Sequence, residues 1–268
     1  ALDTANGATY RVAPRILREL GCGVTVFADS PDGENINHGC GSTHMEALST
    51  AVASGEFDAG FAFDGDGDRM LAVDSTGRVV DGDELIALAA VHLRDAGRLP
   101  GDGVAVTVMS NYGFHSAMEA AGIEVAVTPV GDRYVLEELL ARDWALGGEQ
   151  SGHVIDRGFV PSGDGTASAL LTLEALRAAG RALNDVIPME KLPQRLVNVR
   201  VTDRSAIDGA TTVWDAVDAA NADLEGRGRV LVRPSGTEPL VRVMVEAPTD
   251  DEAEAVCARL VDLIKTEL

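Results

Sequence analysis

Apolar runs of four or five residues alternate along the chain with longer stretches whose apolar residues recur at helical spacing. That alternation confines the fold to layered α/β arrangements. Residues 10–20 read as a helix stopped by Gly21 and Gly23, and residues 24–27 as a strand. A Gly, Asn and Asp loop covers residues 28–41, after which Ser42 or Thr43 is placed to cap a helix over roughly residues 44–54. Residues 59–63 and 70–73 are strands on either side of an acidic loop. Asp83 opens a helix running to about Leu93. Strands are expected at 104–108, 124–128 and 145–148, and helices at 114–121, 133–141 and 166–179. The order helix, glycine, strand, polar turn around residues 10–33 recurs around 114–132, after the turns Asn6-Gly7 and Asn111-Tyr112-Gly113. Residues 1–79 and 80–191 are therefore expected to form two similar mixed α/β domains. Residues 192–268 read β-α-β-β-α, with strands at 195–201, 229–232 and 240–245 and helices at 206–222 and 250–264. This is the order of a small α+β domain with its helices on one face of a sheet.

Charge narrows the partners. The formal net charge is −21, from 22 basic and 43 acidic residues, so nucleic-acid backbones would be repelled. A few arginines in one pocket can still hold a phosphorylated small molecule. No run of 18 apolar residues offers a membrane span, and no signal-type segment opens the chain. Cys22, Cys40 and Cys257 are too widely spaced for a disulfide framework or a zinc pair, which suits a cytoplasmic protein. The chain lacks an initiator Met and reads as a piece that opens inside a domain.

The strongest chemical feature is Asp64-Gly65-Asp66-Gly67-Asp68-Arg69. Single glycines let the backbone turn tightly enough for three carboxylates to converge, and carboxylates that close repel unless a cation shares them. Hard oxygen ligands favour Mg²⁺ or Ca²⁺. An EF-hand fails here, because Arg69 stands where that loop needs Gly and Ser75 where it needs Glu. Arg69 suits a phosphate oxygen or a neighbouring carboxylate. A second cluster, Arg233-Pro234-Ser235-Gly236-Thr237-Glu238-Pro239 followed by Arg242, offers hydroxyls, backbone amides and guanidinium groups to an anion, without the Walker pattern. A third, Gly147-Gly148-Glu149-Gln150-Ser151-Gly152-His153, places Glu149 and Ser151 on one side of an extended backbone, where they could grip sugar hydroxyl or amine groups. His153 could add a donor. In a fourth, Thr128 to Val135, Asp132 and Arg133 start a helix at a place suited to an anion contact.

Together these four loops resemble those of the α-D-phosphohexomutase family. The acidic loop, Gly148-Glu149-Gln150-Ser151-Gly152-His153 and Arg233-Pro234-Ser235-Gly236-Thr237-Glu238-Pro239 match the family's metal, sugar and phosphate motifs in full. Val130-Gly131-Asp132-Arg133-Tyr134-Val135, Gln150, and the run from Asn35 to His44 are similar to the branch acting on glucosamine phosphate. The resemblance spans essentially the whole chain. It implies that residues 1–79, 80–191 and 192–268 are the family's domains 2, 3 and 4, and that the first domain, with its phosphorylated serine, is missing. No Ser-His-Asn-Pro loop occurs in the sequence. The resemblance further implies Mg²⁺ on Asp64, Asp66 and Asp68, with Arg69 orienting the reacting phosphate. Glu149, Ser151 and His153 would hold the sugar, and Asp132 and Arg133 are further substrate contacts. Arg233, Ser235, Gly236, Thr237 and Arg242 would hold the non-reacting phosphate. The partner is a phosphorylated amino sugar, with glucose or glucosamine 1,6-bisphosphate as activator or intermediate. No nucleic acid or membrane is involved, and a homo-oligomer is allowed. The mannose and glucose branches of the family, a non-catalytic sugar-phosphate-binding module and a calcium-stabilised structural protein are the alternatives.

Overall fold

The computed structural model describes residues 1–235 and 238–268, apart from the side chain of Arg204. The chain divides into two compact units, Ala1–Ser110 with Phe114–Glu190, and Asn111–Gly113 with Lys191–Leu268.

The first unit holds two sheets of related design. In one, β1 (Leu2–Asp3), β2 (Val26–Phe27), β3 (Gly60–Phe63), β4 (Met70–Val73) and β5 (Val79–Val80) lie in the order β2-β1-β3-β4-β5. The first three are parallel and the last two antiparallel. In the other, β6 (Gly103–Thr107), β7 (Glu124–Thr128), β8 (Leu146–Gly148) and β9 (Val154–Asp156) lie in the order β7-β6-β8-β9, again with three parallel strands and an antiparallel edge. The sequence repeat therefore corresponds to a repeated topology. One positional consequence follows. The acidic loop joins β3 to β4, and residues 149–153 join β8 to β9, so the two are equivalent hairpin turns. Both lie beyond the carboxyl ends of parallel strands, where open α/β sheets bind ligands.

Of the helices, α1 (Val12–Glu19) follows its expected place. The helix expected over residues 44–54 is shorter. α2 (Glu46–Ala51) starts after Met45 with no side-chain cap and gives way to a π-helical turn, Val52–Glu56. Neither Ser42 nor Thr43 caps it, because the helix begins only at Glu46 and Met45 holds the cap position. α3 (Gly82–Asp95) is capped by Asp81 in a capping box with Glu84, so Asp83 lies fully buried in the first turn instead of opening the helix. This helix has no polar face, and its packing says why. Leu85 and Leu88 enter the core with Phe61 and Met70, while Ile86, Ala90 and Leu93 enter the core with Val104 and Leu146. α4 (Tyr112–Ala120), α5 (Asp132–Arg142), α6 (Gly165–Ala179) and α7 (Leu183–Val186) complete the set. β5, β9 and α7 were not expected, being too short to show a period.

Asp74, 1% exposed, organises the turn from β4 to β5. Its Oδ1 accepts from the Thr76 amide (2.9 Å), the Thr76 hydroxyl (2.6 Å) and the Arg78 amide (3.2 Å), and its Oδ2 from Arg78 Nε (3.0 Å). Arg78 Nη1 also reaches Glu84 Oε1 at 2.5 Å, tying the turn to the α3 cap. Burial alone would raise the Asp74 carboxyl, but these donors outweigh it and hold the group below its ordinary value. A depressed folded-state carboxyl stabilises fully above its ordinary value and loses that contribution as pH falls through the lowered one. Asp74→Ala is expected to cost about 2–3 kcal/mol in urea unfolding at neutral pH. Its deficit should shrink below about pH 4, and an unchanged neutral-pH midpoint would contradict this role.

In the second unit β10 (Gln194–Arg200), β11 (Arg229–Pro234) and β12 (Leu240–Glu246) form an antiparallel sheet in the order β10-β12-β11. Val213 and Val217 of α8 (Thr211–Asp223) share a core with Cys257 and Leu260 of α9 (Asp250–Glu267) and with Val230 and Val243 of the sheet. The β-α-β-β-α order holds. The helix expected over residues 206–222 breaks at Ala210 (φ −81°, ψ 74°), and Arg204–Gly209 before it is a 3₁₀ turn.

Candidate active site

The acidic loop closes on one of its own carboxylates. Asp64 Oδ1 accepts from the amides of Gly67 (2.9 Å) and Arg69 (3.1 Å). Gly67, at φ +79°, supplies the turn that brings those amides round. Asp68 faces a buried histidine, with His153 Nδ1 3.2 Å from its Oδ2. The other oxygen, Asp68 Oδ1, is buried and has no hydrogen-bond partner. Burial pushes the Asp64 carboxyl above its ordinary value, and the neighbouring Asp68 carboxylate pushes it the same way. Two crowded carboxylates and an orphaned buried oxygen suit a hard divalent cation such as Mg²⁺. Asp66 does not join them. It is exposed, and among the described residues no three His, Cys, Asp or Glu side chains gather closely enough to hold an ion. Arg69 is exposed as well.

The equivalent hairpin turn in the second sheet is tighter than alternation suggested. The Gly152 amide donates to the Glu149 carbonyl (3.0 Å) and the Glu149 amide to the His153 carbonyl (3.0 Å), so residues 149–152 form a turn and not an extended segment. Glu149 and Ser151 still meet, because the Ser151 hydroxyl donates to Glu149 Oε2 at 3.4 Å. Glu149 Oε1 accepts from the Gly131 amide at 3.0 Å, which brings the loop before α5 to the same place. His153 Nε2 lies 3.9 Å from Asp132 Oδ2. Arg133 points elsewhere. It is 77% exposed and pairs with Glu137 one helical turn on, at 2.8 Å. The two hairpins touch directly, the Met70 amide donating to the Gly152 carbonyl at 3.0 Å. Metal, sugar and helix-start motifs, well separated in sequence, thus converge within the first unit.

In the second unit, Arg233 and Arg242 stand directly opposite each other on β11 and β12. Burial lowers the Arg233 guanidinium below its ordinary value, and the facing Arg242 lowers it further. Arg242 Nε is buried without a hydrogen-bond partner. Arg242 Nη2 lies 3.8 Å from Glu238 Oε2. Like charges opposed across a strand pair cost stability, and an anion between them removes that cost. Ser235 is buried, its amide donating to the Leu240 carbonyl (2.8 Å) and its Oγ accepting from the Glu238 amide (3.3 Å). Gly236 and Thr237 lie outside the described residues.

Comparison with known proteins gives the chain's family. Models described as phosphoglucomutase/phosphomannomutase alpha/beta/alpha domain II, alpha/beta/alpha domain III and C-terminal domain match residues 1–77, 81–192 and 196–263. This chain belongs to the phosphoglucomutase/phosphomannomutase family. It is 51% identical over 264 residues to phosphoglucosamine mutase of Desulforudis audaxviator, covering 98% of this chain and 59% of that protein. It is 46% identical over 269 residues to phosphoglucosamine mutase of Bacillus subtilis, covering 100% of this chain and 60% of that one. The chain thus spans about three fifths of the length of the curated relatives it matches. The Aspergillus fumigatus N-acetylphosphoglucosamine mutase, in complex with GlcNAc-6P and magnesium, superposes with a TM-score of 0.78 at 22% identity, over 99% of this chain and 61% of its own. That likeness is one of fold.

The spacing of the motifs does not show how the surrounding backbone holds the acidic loop. The Ala8 amide donates to the Gly65 carbonyl at 2.8 Å, and a Cβ at Gly7 would lie 2.3 Å from the same oxygen. Thr9 is buried beside Gly67, its hydroxyl without a hydrogen-bond partner. The available signal is the Asn6-Gly7 turn, whose place in the sequence marks the repeat but not this contact. Gly163-Asp164-Gly165, at the start of α6, also reaches the site and echoes the acidic loop in sequence.

Proposed function

We propose that a protein of the relatives' full length containing this sequence is a phosphoglucosamine mutase. It would interconvert glucosamine 6-phosphate and glucosamine 1-phosphate through an enzyme phosphoserine and a 1,6-bisphosphate. The observation that carries this reading is the 51% identity, across 98% of the chain, to a phosphoglucosamine mutase. We assign residues 1–79, 80–191 and 192–268 to metal-binding, sugar-binding and phosphate-binding domains, and place the protein in the cytoplasm. No helix of the described residues is long and apolar enough to cross a membrane.

Asp64, Asp66 and Asp68 would hold Mg²⁺, which when bound offsets negative charge on the phosphoryl group in transfer. Asp64 and Asp68 are already adjacent, and Asp66 would have to turn inward to join them. Arg69, free to swing at the surface, orients the reacting phosphate. Glu149 is fixed through Oε1 by the Gly131 amide, which leaves Oε2, with the Ser151 hydroxyl, for sugar O3 and O4. His153 braces Asp68 on one side and lies near Asp132 on the other, and offers the sugar a donor. Arg233, Ser235, Gly236, Thr237 and Arg242 bind the phosphate that does not react. Because these groups recognise a phosphate and a pair of hydroxyls, glucose or glucosamine 1,6-bisphosphate can turn over and present either end.

The donor serine is assigned to sequence outside these residues. Ser110 and Ser235 are buried, and Ser151 is bonded to Glu149, so none is placed to carry the phosphate. With Mg²⁺ and catalytic glucose 1,6-bisphosphate, the full-length protein is expected to convert glucosamine 6-phosphate in a coupled assay, while these 268 residues alone do not. Turnover at ordinary enzyme rates by the 268 residues would overturn that assignment.

A further inference from the structure

We propose that the turn Gly163-Asp164-Gly165 is a positioning element of the candidate active site, setting the geometry of the acidic loop from behind. The proposal rests on the reading of residues 64–69 as the metal loop. Two contacts carry it. A Cβ at Gly163 would lie 2.3 Å from Nε2 and Cε1 of His153 and 2.6 Å from its Nδ1, so the imidazole sits directly against the turn's backbone. That ring is 6% exposed and presents Nδ1 to Asp68 Oδ2 at 3.2 Å. On the other side, the Gly165 amide donates to the Gly67 carbonyl at 2.9 Å. A Cβ at Gly165 would lie 2.6 Å from the Arg69 carbonyl oxygen and 2.9 Å from Phe63 Cδ1.

Neither glycine has a positive φ, so the backbone conformation does not demand glycine at either place. Close approach does. The turn is itself well anchored. Asp164 caps α6, a helix of 15 residues, its side chain accepting from the Ala167 amide at 2.9 Å. Gly163 also forms a bridge with Ile155 of β9. A rigid helix start thus pins one carboxylate through an imidazole and the loop's backbone through an amide. Groups that orient ligands in this way, without binding the metal, typically change metal affinity by tenfold or more when altered.

The test uses Gly163→Ala and Gly165→Ala, with Gly23→Ala as control because nothing lies within 4 Å of a Cβ there. Three readouts are taken: Mg²⁺ affinity by calorimetry, NMR resonances of His153 Cε1–H and of the Gly67 and Arg69 amides, and the urea midpoint. Gly165→Ala should weaken Mg²⁺ binding at least about tenfold and displace the Gly67 and Arg69 amides. Gly163→Ala should displace the His153 resonance. The control should move none of these, and all three proteins should unfold cooperatively. A folded Gly165→Ala protein with wild-type affinity and unmoved amides would overturn the proposal. If the wild type binds no Mg²⁺, the metal reading fails, and the resonances alone decide the positioning role. Should neither alanine variant fold, His153→Phe keeps a ring against Gly163 but removes the nitrogen that faces Asp68. A tenfold loss of Mg²⁺ affinity is then expected, and unchanged affinity overturns the proposal.

Discussion

Replacing Asp64, Asp66 and Asp68 together by asparagine is expected to abolish Mg²⁺ binding by this chain. In the full-length protein it is expected to lower turnover by at least about a thousandfold, since several kcal/mol of charge stabilisation would go with the ion. Asparagine keeps the size of each side chain and an oxygen that can still accept from the Gly67 and Arg69 amides, so the loop should hold its shape. The substitution should also relieve the crowding that pushes the Asp64 carboxyl up. Without metal, the variant is therefore expected to be as stable as the wild type or more so, while added Mg²⁺ no longer shifts its melting temperature. Asp66→Asn alone should do less, because Asp66 stands outside the pair. Calorimetric titrations of wild type and triple variant that cannot be told apart would reject the metal assignment.

Arg233→Ala is expected to weaken binding of glucosamine 6-phosphate by roughly tenfold to a hundredfold, the worth of one or two hydrogen bonds to a charged group. Added salt should reproduce part of that loss in the wild type. The register explains a second effect. Arg233 and Arg242 oppose each other, so removing one ends a like-charge contact that a bound anion would otherwise offset. Sulfate or phosphate, which should raise the wild-type melting temperature by bridging the pair, should do little for the variant. Equal sugar-phosphate affinity of the two full-length proteins would rule the role out.

The layered fold was legible because its long elements are strongly periodic, and because the repeat in residues 10–33 and 114–132 reflects a shared strand order. What sequence could not supply was contact. Nothing in the spacing of Glu149 says that the Gly131 amide holds its carboxylate, since that bond joins residues 18 apart across two loops. Arg133 looked like an anion ligand because it begins a helix, but Glu137 on the same helix face takes its guanidinium. Ser42 has the side chain of a cap, but the helix starts at Glu46, too far along the chain for it. Gly65 and Gly67 read as turn formers from the sequence. Gly7 and Gly165, outside the acidic loop, are needed for space, which only the neighbouring backbone reveals. α3 shows the same limit from the other side. Its apolar residues fix a buried helix, but not that Leu85 and Ile86 face two different cores.

The proposal with the widest consequences is that a full-length protein containing this sequence prefers an amino-sugar phosphate over mannose or glucose phosphates. It is tested most directly by kcat/KM of the full-length protein for glucosamine 6-phosphate, mannose 6-phosphate and glucose 6-phosphate, with Mg²⁺ and catalytic glucose 1,6-bisphosphate. A preference of at least about tenfold for glucosamine 6-phosphate is expected, in line with what one recognised polar group on a substrate is worth. An equal or reversed order would contradict it.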